Sequence, residues 1–116
     1  MRVDAVDERD IGWEEFRPVF RVYLFHGTGS DEPPWTSSTV DITDADVLDA
    51  VGWAQSHVGD GDLYAVALVG SDGEGRRGLT WLVGTDANSV PLTGTEEALH
   101  RRMRELRDRR IRLEER

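Results

Sequence analysis

The most apolar part of the chain, Leu63 to Gly84, consists of two runs of strand length on either side of a turn-rich connector, Ser-Asp-Gly-Glu-Gly-Arg-Arg. This arrangement predicts a β-hairpin. Neither run alternates cleanly between apolar and polar residues, so both faces of the hairpin are apolar. We therefore expect the hairpin to lie in the middle of a sheet that is covered on both sides. Simple alternation on the second run places three side chains on one face: Leu79, Trp81 and Val83.

Two further strands are predicted before the hairpin, at Arg17 to His26 and at Thr36 to Ile42. In the first, alternate residues form two faces that both carry apolar groups: Phe20, Val22 and Leu24 on one, Arg21, Tyr23 and Phe25 on the other. Because the second face is aromatic, another element, a second subunit or a ligand must cover it. The second segment is short, with Val40 and Ile42 inward and polar residues outward, as is typical of an edge strand.

Two helices complete the pattern. Thr43 is placed to cap the first helix through the N–H of Asp46, and Gly59 is a natural terminator. The apolar stripe of this helix is Val47, Val51, Ala54 and Val58. The capping box Thr93-Gly-Thr-Glu96 begins the second helix, from residue 94 to about 113, whose apolar stripe is Leu99, Met103, Leu106 and Leu113. That stripe is narrow, so we expect the second half of the helix to project from the sheet.

The predicted order is strand, strand, helix, strand, strand, helix. It indicates an α+β fold, with a small antiparallel sheet of about four strands and two helices. A chain of 116 residues is expected to form one domain. Residues 1–16 are interpreted as an N-terminal arm, residues 17–93 as the sheet with the first helix, and residues 94–116 as a charged C-terminal helix. Within the arm, Trp13 and Phe16 are candidates for an anchoring turn.

The charge is distributed unevenly along the chain, whose formal net charge is −9. Residues 36–75 carry eight acidic side chains and no basic one, whereas residues 94–116 carry six acidic side chains and eight Arg. This distribution argues against general nucleic-acid binding, which needs a basic surface. It favours a basic protein partner, or self-association between the acidic and basic parts. All fourteen basic residues are Arg, a composition that indicates a GC-rich bacterial or phage gene.

The sequence contains no motif for several classes of chemistry. Cys is absent, which excludes disulfides and thiolate chemistry. None of His26, His57 and His100 lies at a metal-ligand spacing or beside a recognisable nucleophile. No apolar run is long enough to span a membrane, and the acidic N-terminus does not resemble a signal peptide, so we expect a cytoplasmic protein. The sequence therefore favours a protein without catalytic residues, metal or cofactor, although a dispersed catalytic constellation would leave no motif.

On the first helix, a second line of residues follows at helical spacing: Asp46, Ala50, Trp53 and His57. The candidate partner-binding residues are Asp46, Asp49, Trp53 and His57. Trp53 lies more than 90° from the centre of the apolar stripe on a helical projection. A tryptophan at that position is either covered by another part of the fold or exposed for a partner. The first functional hypothesis is accordingly a non-catalytic protein-interaction or regulatory module, of the kind that includes immunity proteins, antitoxins and accessory regulators.

The sequence also leaves two alternative functions open and predicts a homodimer. A small-molecule site or a minor enzyme is placed on an aromatic sheet face made of Tyr23, Phe25, Trp35, Tyr64 and Trp81. An acidic mimic of nucleic acid is placed on the Asp-rich segment 41–62, whose carboxylates would have to be spaced along one surface. A homodimer is predicted in which the basic last helix of each copy meets the acidic surface of the other.

Overall fold

The computed structural model of the protein describes residues 1–27, 29 and 32–111. After a single 3-10 turn at Glu8–Asp10, the elements are β1 (Val19–His26), β2 (Thr36–Ile42), α1 (Val47–His57), β3 (Leu63–Ser71), β4 (Arg77–Val83) and α2 (Gly94–Asp108). All four strands are antiparallel and form one sheet. The α+β class and the order ββαββα are therefore confirmed.

The strand order in the sheet is β2-β1-β3-β4. The edge position predicted for β2 is confirmed, but the mid-sheet position of the hairpin holds for β3 only. Residues 63–67 of β3 are buried, whereas β4 is the other edge and its residues 77–80 are exposed. The apolar residues of β4 led to the wrong prediction of a mid-sheet position. An edge strand can also carry apolar side chains when the strand beside it is covered on both faces.

A β-bulge on β4 changes which of its side chains share a face. Val83 pairs with Val66 and Trp81 pairs with Ala67, so Leu82 is an extra residue with no partner of its own in β3. Adjacent residues of β3 point to opposite faces, and Trp81 and Val83 therefore do the same. The expectation that Leu79, Trp81 and Val83 share a face is wrong at Val83, because alternation along the sequence fails where a bulge inserts a residue.

The sheet separates two hydrophobic layers. Helix α1 covers one face, where the buried cluster is Phe20, Val22, Ala50, Val51, Ala54, Tyr64 and Val66. Helix α2 covers one end of the opposite face, where the buried cluster is Phe25, Trp35, Leu63, Ala65, Ala87 and Met103. The two faces predicted for β1 are confirmed, since its residues divide between these clusters by alternation.

Helix α1 begins three residues later than predicted. Its N-cap is Asp46 instead of Thr43, and Asp46 and Asp49 form a reciprocal capping box. Asp44 has a φ of 54°, so the chain turns there and does not continue a helix from Thr43. The buried residues of α1 are Ala50, Val51 and Ala54, while Val47 is exposed.

Helix α2 ends at Asp108, earlier than predicted, and Leu113 lies outside the described residues. In its apolar stripe, Met103 packs against the sheet of its own chain, and Leu106, in the second half of the helix, is also buried. The expected projection of the second half of the helix is therefore wrong. Gly84 allows the close packing, because a Cβ atom there would lie only 2.7 Å from Cγ of Met103.

Candidate functional site

The predicted partner-binding residues form one exposed flank of α1, which we call the α1 flank: Asp46, Asp49, Trp53 and His57. The carboxylate of Asp46 accepts the N–H of Asp49 at 2.8 Å, and the carboxylate of Asp49 accepts the N–H of Asp46 at 3.0 Å. Both side chains thus serve as helix caps. Both residues are nevertheless exposed.

Trp53 is covered on one side and accessible on the other. Its ring packs against the hydrophobic cluster beneath α1, yet the residue is only half-buried. The imidazole of His57, one turn later, stacks on the indole with the ring centroids 3.9 Å apart and the planes 13° from parallel. A hydrogen bond of 2.8 Å between Nδ1 of His57 and the carbonyl oxygen of Trp53 fixes that stacking. Trp53 therefore satisfies both of the alternatives that the sequence left open.

The residues proposed for an aromatic ligand face do not form one pocket. Phe25 and Trp35 are buried with Met103 beneath α2. Tyr64 lies on the opposite face of the sheet, in the cluster beneath α1. Alternation along β3 puts Tyr64 and Ala65 on different sides. Alternation within single strands does not determine how the faces of separate strands align.

Tyr23 and Trp81 remain partly exposed on the α2 side of the sheet. Their ring centroids are 5.1 Å apart with the planes tilted by 50°, although β3 runs between their strands. The rings meet because β3 carries small residues there. Tyr23 is opposite Ala65 and Trp81 is opposite Ala67, and both alanines are fully buried.

A cleft of about 440 Å³ lies beside Trp35, between α2 and the loop that precedes it. Its floor includes Trp35, Leu63 and Met103, and its rim carries both basic and acidic side chains: Glu32, Glu97, His100, Arg101 and Arg104. The amide of Asn88 fixes the wall, because its Oδ1 accepts the N–H of Trp35 at 2.6 Å and its Nδ2 donates to the carbonyl of Trp35 at 2.9 Å. The rim shows no excess of either charge to select a ligand.

A histidine–carboxylate pair that the sequence did not indicate lies at the end of β1. Nδ1 of His26 is 2.9 Å from Oδ2 of Asp62, and Oδ1 of Asp62 accepts the N–H of Gly27 at 3.2 Å. Asp62 is largely buried and His26 is largely exposed. The 36 residues between them hid this pair in the sequence. Within the described ranges, no three His, Cys, Asp or Glu side chains are grouped closely enough to hold a metal ion.

The acidic side chains of segment 41–62 lie in several separate places. Asp41 is on the α2 side of the sheet, where the hydrogen-bonded Arg21 guanidinium lowers the pKa of its carboxyl. Asp46 and Asp49 are at the beginning of α1, and Asp62 is beside His26. This distribution gives no support to nucleic-acid mimicry, which requires carboxylates along one surface, and ordinary solubility explains these residues better.

Comparison of the chain with protein-family models, with curated proteins and with solved structures found no significant match. None of the helices in the described part of the chain is long and apolar enough to cross a membrane.

Proposed function

We propose that this chain is a non-catalytic protein-interaction module of a bacterium or phage, acting in the cytoplasm as immunity proteins, antitoxins and accessory regulators do. The observation that carries the proposal is the partly exposed Trp53 on the α1 flank, beside the carboxylates of two exposed residues, Asp46 and Asp49. Tryptophan is among the residues that contribute most binding energy at protein interfaces. His57 stacked on the indole holds that ring in one orientation, which reduces the entropy lost on binding.

The charge around the α1 flank supports a basic partner. Residues 36–75 contain eight acidic side chains and no Arg or Lys, and Asp44, Asp46 and Asp49 stand together at the beginning of α1. Charges of one sign on a surface accelerate association with a partner of the opposite sign, and salt screens this effect. The partner is therefore a protein with a basic surface that offers an apolar site for the exposed edge of Trp53.

The experiment is a co-expression screen with the full chain as bait, repeated with the variant Asp46→Asn/Asp49→Asn. Asn is about as good as Asp at a helix N-cap, so this variant removes two charges and retains a side-chain acceptor at both capping positions. We expect the native chain to capture a basic protein. The Asn variant should bind that protein with an affinity at least tenfold lower. The variant Glu74→Gln/Glu97→Gln is the matched control, since it changes the net charge equally on residues outside the α1 flank.

Substitution of His57 tests the aromatic part of the site separately. His57→Ala removes the ring stacked on Trp53 without touching the buried side of the indole. We expect this change to weaken binding through faster dissociation. A captured partner that binds the native chain, the Asn variant and the His57 variant equally would show that the α1 flank is not the binding site.

A further inference from the structure

The α2 side of the sheet is only partly covered. Helix α2 crosses the end of the sheet near Leu63 and Ala65. Beyond it, four apolar side chains form a surface that we call the open face: Tyr23, Val69, Leu79 and Trp81. Their common side follows from the strand register, because Val69 pairs with Leu79 and lies two residues after Ala67, the partner of Trp81. Leu79 is 36 % exposed, and no described helix lies over it.

The arm, residues 1–16, has apolar side chains without cover. Five of them are between 63 and 82 % exposed: Val3, Val6, Ile11, Trp13 and Phe16. The arm forms its own turn, in which the carboxylate of Asp7 accepts the N–H of Arg9 and pairs with its guanidinium. The radius of gyration of 15.6 Å exceeds the value of about 13 Å for a compact chain of this length, consistent with an arm that is held away from the sheet of its own chain.

The arm and the open face are complementary in character and in position. The arm leads directly into β1, whose first residue Val19 pairs with Val69 of the open face. Residues 1–16 contain six acidic and two basic side chains. On the same side of the sheet, Arg77 makes no salt bridge with a described residue, and its charge adds to that of the hydrogen-bonded Arg21 in lowering the pKa of the Asp41 carboxyl. An acidic segment with aromatic side chains therefore fits an apolar surface bordered by the positively charged Arg77.

We propose that the open face is covered by the arm of a second copy of this chain, in a two-fold dimer formed by exchange of arms. An interface of this kind is self-complementary, because each copy contributes one arm and one face. It differs from the dimer predicted through α2, whose apolar residues Met103 and Leu106 are buried within their own chain. The arm and the open face share no residue with the α1 flank, so the dimer and the proposed partner complex are independent of each other.

Light scattering after size-exclusion chromatography tests the proposal at micromolar concentration. We expect the native chain to have twice the 13.1 kDa mass of one chain. Trp13→Ala/Phe16→Ala on the arm and Leu79→Glu on the open face should each reduce the mass to that of one chain. Leu92→Ala is the control, because Leu92 is exposed in the loop before α2 and should leave the dimer intact.

Fluorescence of Trp13, obtained as the difference between the native chain and Trp13→Phe, gives a second measurement. We expect acrylamide to quench Trp13 less in the native dimer than in the Leu79→Glu variant. Circular dichroism establishes that each variant is folded, and Leu79→Ser replaces Leu79→Glu if the glutamate prevents folding. A native monomer overturns the proposal, whether or not its Trp13 is shielded, and so does a dimer that persists in either the arm variant or the face variant.

Discussion

The side-chain amide of Gln55 exchanges two hydrogen bonds with the backbone of Ile111. Its Nε2 donates to the carbonyl oxygen of Ile111 at 3.0 Å, and its Oε1 accepts the N–H of Ile111 at 2.5 Å. Gln55 belongs to α1, whereas Ile111 follows α2 on the other side of the sheet. The side chain of Ile111 packs against the cluster beneath α1, so the chain passes from one layer to the other after α2 and is fixed there by this pair.

Replacing Gln55 should loosen this junction. Gln55→Ala removes both hydrogen bonds, and we expect the free energy of unfolding to fall by about 1–2 kcal/mol. The amide hydrogen of Ile111 should also exchange faster with solvent, as NMR would measure. Gln55→Glu is the matched control, because it keeps the acceptor for the N–H and loses only the donor. Unchanged exchange at Ile111 in the alanine variant would contradict the role of the pair.

Gly84 should not tolerate a side chain. Its φ is +72°, and a Cβ atom would lie 2.7 Å from Cγ of Met103 and 3.3 Å from Cβ of Ala65. Overpacking of this kind costs about 1–3 kcal/mol, and the left-handed backbone adds strain. We therefore expect Gly84→Ala to lower the midpoint of urea unfolding clearly. Gly78→Ala is the control, since nothing lies within 4 Å of a Cβ at that position; an equal effect of both changes would refute the packing argument.

The hydroxyl of Tyr64 is buried without a hydrogen-bond partner among the described residues. Such a group costs about 1–3 kcal/mol when it is left unsatisfied. We expect Tyr64→Phe to leave the free energy of unfolding unchanged or to raise it, and Tyr64→Leu to lower it through lost packing. Chemical denaturation at pH 7 distinguishes these outcomes, and a clear loss of stability in the Phe variant would indicate an unrecognised partner.

Alkaline pH should act on the same residue. Burial raises the pKa of the Tyr64 hydroxyl, so the folded protein retains a proton that the unfolded chain loses near the ordinary value of about 10. Stability is then fully present below about pH 10 and falls as the pH rises above it. Denaturation curves at pH 9 and above should show a smaller fall for Tyr64→Phe than for the native chain.

Acidic pH should weaken the cap of α2. Glu96 accepts the N–H of Leu92 at 2.6 Å and the N–H of Thr93 at 2.9 Å, and these hydrogen bonds lower the pKa of its carboxyl. A lowered pKa contributes stability above the unfolded value of about 4.3, and this contribution is lost as the pH falls through the folded value. We expect Glu96→Gln to lose less stability than the native chain between pH 5 and pH 3. Glu97→Gln should behave like the native chain, and equal behaviour of both variants would contradict the prediction.

Local sequence signals were sufficient for the type and order of the strands and helices, but not for the residues at which α1 begins and α2 ends. The alternation of Phe20, Val22 and Leu24 with Tyr23 and Phe25 placed β1 between two layers, because each face of a buried strand must meet apolar neighbours. The capping box at Thr93 and Glu96 gave the beginning of α2, since its hydrogen bonds join residues only three apart. The same local reasoning brought Asp49, Trp53 and His57 together on the α1 flank, where spacing along one helix determines proximity.

Only the tertiary structure decided which faces of different strands coincide. The extra residue Leu82 in the β4 bulge changes the side on which Val83 lies, and the register of β1 against β3 puts Tyr64 beneath α1 instead of beside Trp35. The contacts of Tyr23 with Trp81, His26 with Asp62 and Gln55 with Ile111 join residues far apart in sequence. Composition and periodicity predict which residues share a face within one strand or helix. These contacts depend instead on how separate elements align, which the packing of the whole chain determines.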